Sequence, residues 1–572
     1  MPRRFSLKAR LLSLLLSAAM VLMFLPASAF AAADKQVLVG DTWLGSANRS
    51  VTCGDGTAEY DPDTKTLTLT NVTINCDDTT AIFNKTDGLT IKLVGENSIN
   101  SGKQTGILSM QGCGLLTLTG EGSLNITAAN GHAIYVNTGS LLVKDTTVKV
   151  SSDALAVYAD LGIEISNSTF ESASTDGNAI WTPRDLTIEN SNVTTNSAGN
   201  FPAIWCDGDI TINGGQLKST CTGNDALGAA GTLSITNCNV ENKGGYTALY
   251  SGGEMTLTGG SITAEAERNA IMSKSAMTIT NATVKATAQK YNALRASDVM
   301  KIDKGRVEAT TFGEETYAIH MEPMDDGNNG RMEIGGGVEL YVNGYNGISV
   351  GEGATIEDAR IVIDSEACSI DMPVKFADGY DIARALGGDS KENAKPFDWY
   401  SMSLEPFTPN QPGTYRYLEL LSGAKHTLRV TNGMISELNG KPYTGSEVEI
   451  PAGSPVTLTL TVNEDAFTAG DVFSSWTLSP TPRDLRIDGN VITFTMPAED
   501  VEIRATGDIP PEPTPDAEVS PLFGLALGAV GGTLVGLTLY AAHEFGITQT
   551  LRETLPAGAA IPANRGELAL LL

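Results

Sequence analysis

The chain has 572 residues, with 67 acidic against 38 basic side chains and a formal net charge of −29. An apolar fraction of 41% excludes wholesale disorder, and the acid excess argues against a nucleic-acid face or an anionic membrane surface. Sixty glycines beside 6% aromatics imply many tight turns; seven cysteines, with no CxxC pair and only four scattered histidines, make neither a full disulfide framework nor a Cys/His metal centre.

Residues 1–31 form an export signal. Arg3, Arg4, Lys8 and Arg10 precede the uncharged run from Leu11 to Leu25. Pro26 then leads into Ala27-Ser28-Ala29 and Ala31-Ala32-Ala33, an Ala-x-Ala cleavage region. The apolar run is short for a membrane anchor. Cleavage removes four basic residues and no acid, so −29 becomes −33. Free thiols in an exported protein suggest a reducing habitat.

From about residue 60 to 370 the chain repeats. A small residue followed by an aliphatic one recurs as Ala81-Ile82, Gly106-Ile107, Ala133-Ile134, Ala156-Val157, Ala179-Ile180 and Ala203-Ile204. It continues as Ala226-Leu227, Ala248-Leu249, Ala270-Ile271, Ala293-Leu294, Ala318-Ile319 and Gly347-Ile348, at spacings of about 22 to 29 residues. Seven residues after several anchors, period-2 runs begin: LTIENSNV from Leu186, LSITNCNV from Leu233, MTLTGGSI from Met255 and MTITNATV from Met277. Such Thr-, Val- and Ile-rich alternation means strands. Eleven residues after the anchor stand Asn167, Asn190, Gly214, Asn237, Gly259 and Asn281, types that tolerate a left-handed backbone. The predicted fold is all-β: a right-handed parallel β-helix of about a dozen coils over residues 35–375.

Alternation orients each coil. If anchor+1 points inward, so does anchor+3, which is mostly small (Ser109, Val136, Ala159, Thr182, Cys206, Ala229, Ser251, Ser273). Anchor+2 then points out: Phe83, Leu108, Tyr135, Tyr158, Trp181, Trp205, Gly228, Tyr250, Met272, Arg295 and His320. The column two before the anchor adds Phe201, Tyr246, Tyr291 and Tyr345, with small anchors between the columns leaving ring faces uncovered. A flat aromatic strip beside hydroxyl-rich turns suits a polysaccharide, whose C–H faces pack on rings while polar side chains bond its hydroxyls. The ligand-binding candidates are Tyr135, Tyr158, Trp181, Trp205, Tyr250, Tyr246 and Tyr291. Simple exterior packing is the competing reading.

Acid–base catalysis by a polysaccharide lyase or hydrolase needs clustered carboxylates. Asp207 and Asp209 near Trp205, with Arg184 and Asp185 one coil earlier, are the alternative catalytic set; Asp is also ordinary turn chemistry. The insertion from Met321 to Gly337 carries Asp325 and Asp326, oxygen-rich enough for calcium but without EF-hand spacing. No cofactor is required, and a decorated loop is the competing reading there.

Residues 376–421, with Pro396, Pro406, Pro409 and Pro412, suggest an irregular cap and connection. Residues 424–507 are strand-like again, a small β-domain around Trp476. A proline-rich linker follows over 508–519. Residues 520–542 form an uncharged apolar helix with Gly524, Gly528, Gly532 and Gly536 four apart, spaced as in a closely packed membrane helix; a buried hairpin is the alternative.

GTAEYDPDTKTLTLTNVTI, Gly56 to Ile74, together with the anchor and Asn ladders, resembles the β-helical carbohydrate-binding proteins exported by clostridia and their relatives. That resemblance implies binding of polygalacturonate-type plant polysaccharide, with calcium involved. FTMPAEDVEIRAT, Phe494 to Thr506, resembles the end of a divergent internalin-type bacterial repeat. NRGELALLL, Asn564 to Leu572, resembles part of an S-layer homology module, with Arg565, Glu567 and Ala569 on its Arg-x-Glu-x-Ala pattern, so residues 543–572 suggest the start of a cell-envelope anchor. The leading expectation is a non-catalytic cell-surface binder of an extracellular polysaccharide. An enzyme using Asp207 and Asp209, and a protein-binding adhesin or stalk, are the alternatives.

Overall fold

Each repeat closes on itself as a coil of three short strands, and the coils pair in parallel. A computed structural model describes residues 35–321, 330–371, 373–397, 415–468 and 471–508. The expected export signal, most of the expected proline-rich linker, the glycine-spaced segment, the segment expected to resemble an S-layer module, and Asp325 with Asp326 lie outside the described residues. The described chain is a β-solenoid of about 13 turns with almost no helix. Most of it forms one compact unit, up to Asn463 and again over Ser475–Thr506; Glu464–Ser474 belongs to a second.

Three ladders run along the solenoid. The first sheet takes the strand after each anchor: Ile82–Asn84, Ile107–Ser109, Ile134–Val136, Val157–Ala159, Ile180–Thr182, Ile204–Cys206 and onward. The second starts at Thr66–Thr70 and Thr90–Val94, and the third at Thr73–Cys76 and Glu96–Ser101. Between them the chain turns at the position eleven after the anchor. There Asn167, Asn190, Asn237 and Asn281 have φ between +46° and +51°, and Gly214 and Gly259 have +70° and +63°. Stacked turns hand the ladder on: Asn190 N–H donates to Asn213 O at 2.8 Å and Gly214 N–H to Thr236 O at 2.9 Å.

The interior matches the alternation. Anchor+1 and anchor+3 side chains are buried, and polar ones bond within the core, as when Asn84 Nδ2 donates to Ser109 Oγ at 2.9 Å. The anchors differ from expectation, because they are interior too. Ala133, Ala156, Ala179 and Ala203 are fully buried, and a Cβ added to Gly106 would meet Ile126 Cγ2 at 2.6 Å. The chain bends just before this strand, so strict alternation breaks and two successive residues face inward. The anchor is small because a third-sheet side chain packs over it, so it does not floor an outer groove.

Antiparallel strands cover both ends, where open edges would invite pairing with other chains. Val37–Val39 lies on Ile82–Asn84, and Gly56–Asp61 on Thr66–Thr70. At the far end Tyr417–Thr431 lies antiparallel on Ala359–Asp371. Buried Glu419 pins that strand, accepting from Arg384 Nη2 at 2.9 Å, Arg360 Nε at 3.2 Å and Tyr417 OH at 3.2 Å. The segment expected to be irregular holds the strand Tyr380–Gly388, paired with Tyr417–Thr431. Pro396 sits on a two-residue edge pairing that leaves its missing N–H without consequence, and the three later prolines lie outside the described residues.

Beyond the cap, Gly433–Leu438, Lys441–Gly445, Pro455–Val462, Arg486–Asp488 and Val491–Thr495 form a five-stranded antiparallel sheet. Trp476 is buried, donating Nε1–H to Asn490 Oδ1 at 3.1 Å. The cysteines form no disulfide, and all but Cys53 are buried, acting as small apolar fillers.

The left-handed turn sets a stability test. Asn237, at φ +50°, is expected to tolerate Gly within about 0.5 kcal/mol but to lose about 1–2 kcal/mol on replacement by Val. Denaturant unfolding of the two variants checks this; equal midpoints would contradict it.

Candidate functional site

The outward column assembles in register. Pairing runs Phe83, Leu108, Tyr135, Tyr158, Trp181, Trp205, Gly228, Tyr250, Met272, Arg295 and His320, one residue per coil. Five of the seven binding candidates thus share one line on the first sheet. Tyr246 and Tyr291 stand on the neighbouring corner.

The rings do not lie flat. Tyr135 and Tyr158 stack with centroids 4.7 Å apart and planes 21° apart, and His132 covers the next face at 4.9 Å. Coplanar rings at that separation would overlap, so the stack runs along the solenoid and its edges face outward. Coil spacing of about 4.8 Å falls in the range of ring stacking, so neighbouring aromatics cover one another's faces. Tyr158 pays most in exposure, retaining 9%. Burial first, then its hydrogen bond to Asp160, pushes its phenol up to about 12. The expectation of uncovered ring faces along this column is therefore corrected.

One interruption changes the local geometry. At Gly228 no side chain separates Trp205 from Tyr250, and the two rings stack across the gap at 6.0 Å. A Cβ at Gly228 would sit 2.6 Å from Trp205 Cζ3. Trp205 also donates Nε1–H to Asp207 Oδ1 at 2.7 Å, which fixes the indole's edge toward an exposed carboxylate. The half-buried Trp181 and Trp205 are adjacent across paired strands.

The corner column is more open. Phe201 is 50% exposed, Tyr246 41% and Tyr291 45%. Between the two tyrosines lies Arg268, its guanidinium carbon 4.1 Å from the Tyr246 ring centroid and 5.8 Å from that of Tyr291. Sequence reasoning missed this residue because it listed aromatics only; reading the whole column shows it two residues before Ala270.

The carboxylates divide by role. Asp185 Oδ1 accepts the Asp209 N–H at 3.0 Å, and Asp209 Oδ1 accepts the Thr232 N–H at 2.7 Å. Both belong to a coil-to-coil turn ladder. Asp207 instead faces Trp205. A carboxyl not singled out in the sequence, Asp225, is buried beside this face, accepting the Thr247 N–H at 2.9 Å. Burial pushes it up to about 6, and its charge adds to the burial that raises Tyr250. The signal was available: one before the anchor, neighbouring coils carry the uncharged Asn178, Pro202, Thr247, Asn269 and Asn292 where this coil has Asp. Further along, Tyr317 donates to Asp371 Oδ2 at 2.7 Å and stacks on His320. Among the described residues, no group of three or more His, Cys, Asp or Glu is placed to hold a metal ion.

A family model described as carbohydrate-binding domain-containing protein matches residues 52–245 and again 228–394, more than half of the chain together. The two matched stretches contain every first-sheet residue described above. No curated protein and no solved structure matches.

Two tests follow from this geometry. Between pH about 4 and 6 the folded chain holds a proton on Asp225 that the unfolded chain has released, so stability falls as pH rises through that window and levels off above it. Asp225→Asn keeps an acceptor for Thr247, and is expected to stabilise the protein above pH 6 by up to about 3 kcal/mol, with the gain vanishing below about pH 4. Melting temperature against pH for both proteins measures it. Gly228→Ala is expected to displace the Trp205 indole and alter the near-UV circular dichroism; an unchanged spectrum would refute the stacked geometry.

Proposed function

The chain belongs to the family of carbohydrate-binding domain-containing proteins, and on that footing we propose that its first sheet holds an extracellular polysaccharide without catalysis. The observation that carries the reading is the in-register column Tyr135, Tyr158, Trp181, Trp205 and Tyr250 inside the matched residues. A glycan lying along the solenoid meets ring edges and indole and phenol tips, flanked by Asp160 and Asp207, which accept hydroxyl hydrogen bonds. Ring faces offered at the open corner, by Phe201, Tyr246 and Tyr291, supply the C–H contacts.

The polygalacturonate-type ligand implied by the resemblance is a finer proposal. So are export, attachment to the cell envelope through the C-terminus, and a calcium ion bridging an acidic glycan to this acidic chain. The engagement of Asp209 in the turn ladder supports the non-catalytic reading over an enzyme built on Asp207 and Asp209.

A glycan array is the test. Trp181→Ala combined with Trp205→Ala is expected to weaken polysaccharide binding at least about tenfold, at about 1.4 kcal/mol per decade, while the fold persists. Undiminished binding would place the ligand on another face. Product release from polygalacturonate by the intact protein would instead establish the catalytic alternative.

A further inference from the structure

Several lysines around Arg268 are ion-paired, although Lys274 and Lys285 of its own coil, like Arg268 itself, form no ion pair among the described residues. Lys218 pairs with Glu241 at 2.8 Å, Lys243 with Glu265 at 3.8 Å and Lys290 with Glu267 at 3.0 Å. Arg268 has no ion pair and no side-chain hydrogen bond among the described residues, although Glu267 is its chain neighbour and Lys290 draws that carboxylate away. Its guanidinium carbon lies 4.1 Å from the ring centroid of exposed Tyr246 and 5.8 Å from that of exposed Tyr291.

The backbone beneath is equally ordered. Arg268 N–H donates to Tyr246 O at 3.1 Å, and Tyr291 N–H to Arg268 O at 3.3 Å, so the three side chains issue from consecutive rungs of one ladder. A guanidinium drawn to ring faces, with no carboxylate paired to it, keeps N–H donors for an anion. The planar fork of an arginine matches a carboxylate or sulfate oxygen pair.

We propose that Tyr246, Arg268 and Tyr291 form a subsite for an anionic substituent, carboxylate or sulfate, on the bound polysaccharide. The subsite rests on the carbohydrate reading above and deepens it. The Arg268 fork binds the anion while sugar C–H faces pack on the flanking tyrosines. An acidic glycan then meets a cation of the protein's own at this subsite, whether or not calcium bridges it elsewhere. The local ion pairs matter here, because they neutralise Glu265 and Glu267, the carboxylates closest in sequence.

The experiment compares the intact protein with Arg268→Gln and Arg268→Lys, both with calcium and in EDTA, on two probe pairs. Polygalacturonate against its methyl ester isolates a carboxylate, and dextran sulfate against neutral dextran isolates a sulfate. The wild type is expected to prefer one charged probe over its neutral partner. Arg268→Gln is expected to abolish that preference by about tenfold or more with melting temperature unchanged, while Arg268→Lys restores only part, lacking the fork. The probe pair that responds identifies the anion. A preference that survives Arg268→Gln, or neutral binding with no anion preference, overturns the subsite and leaves the carbohydrate reading standing. Binding to no glycan at all overturns both.

Discussion

Everything in this molecule depends on each coil returning the chain to the same place. Parallel ladders need the next coil's N–H groups opposite the last coil's carbonyls, and only a turn of fixed shape repeats that alignment. The left-handed residue at Asn167, Asn190, Gly214, Asn237, Gly259 and Asn281 provides it. For most residues that conformation costs about 1–2 kcal/mol, which a dozen coils would multiply. Placing Asn or Gly at these six turns removes most of that cost, while Asp145 and Lys304 hold the equivalent turns of other coils at φ +52° and +61°. Once the backbone superposes, columns of side chains follow, and function becomes a property of columns.

The same superposition dictates what an aromatic column presents. Rings one coil apart are held at about 4.8 Å, close enough to stack and too close to lie side by side. Tyr135 and Tyr158 therefore bury their faces in each other and show their edges. An aromatic ligand platform on such a sheet needs an interruption or a corner. The structure has both: Gly228, which lets Trp205 and Tyr250 lean together, and the bend before the first sheet, where Tyr246 and Tyr291 stand 41% and 45% exposed.

The period, the strands, the left-handed turn and the inward +1 and +3 positions were legible in the sequence, because each is a one-dimensional regularity. The anchor's orientation was not. Period-2 alternation holds within a strand and fails across a bend, and Ala133 or Gly106 sits at that bend. Ring stacking was hidden for a related reason: it depends on the distance between coils, which no local pattern encodes. Asp225 and Arg268 were visible as departures within their columns, one carboxyl among uncharged residues and one cation between two tyrosines, yet a search by residue type passes over them. In a solenoid, the odd residue in a column carries more information than the repeated one.

Charge follows the same logic. A chain at −29 repels an acidic polymer on average, but the average is not what a ligand meets at contact distance, where screening leaves only neighbours within about 8–10 Å. Along the third sheet, lysines and glutamates one coil apart cancel in pairs, and each such exposed pair contributes little to stability. Their larger effect is to flatten the local field. Against that flattened background, a cation without a carboxylate partner, such as Arg268 beside Tyr246 and Tyr291, weighs on its own patch more than the net charge of the whole chain does.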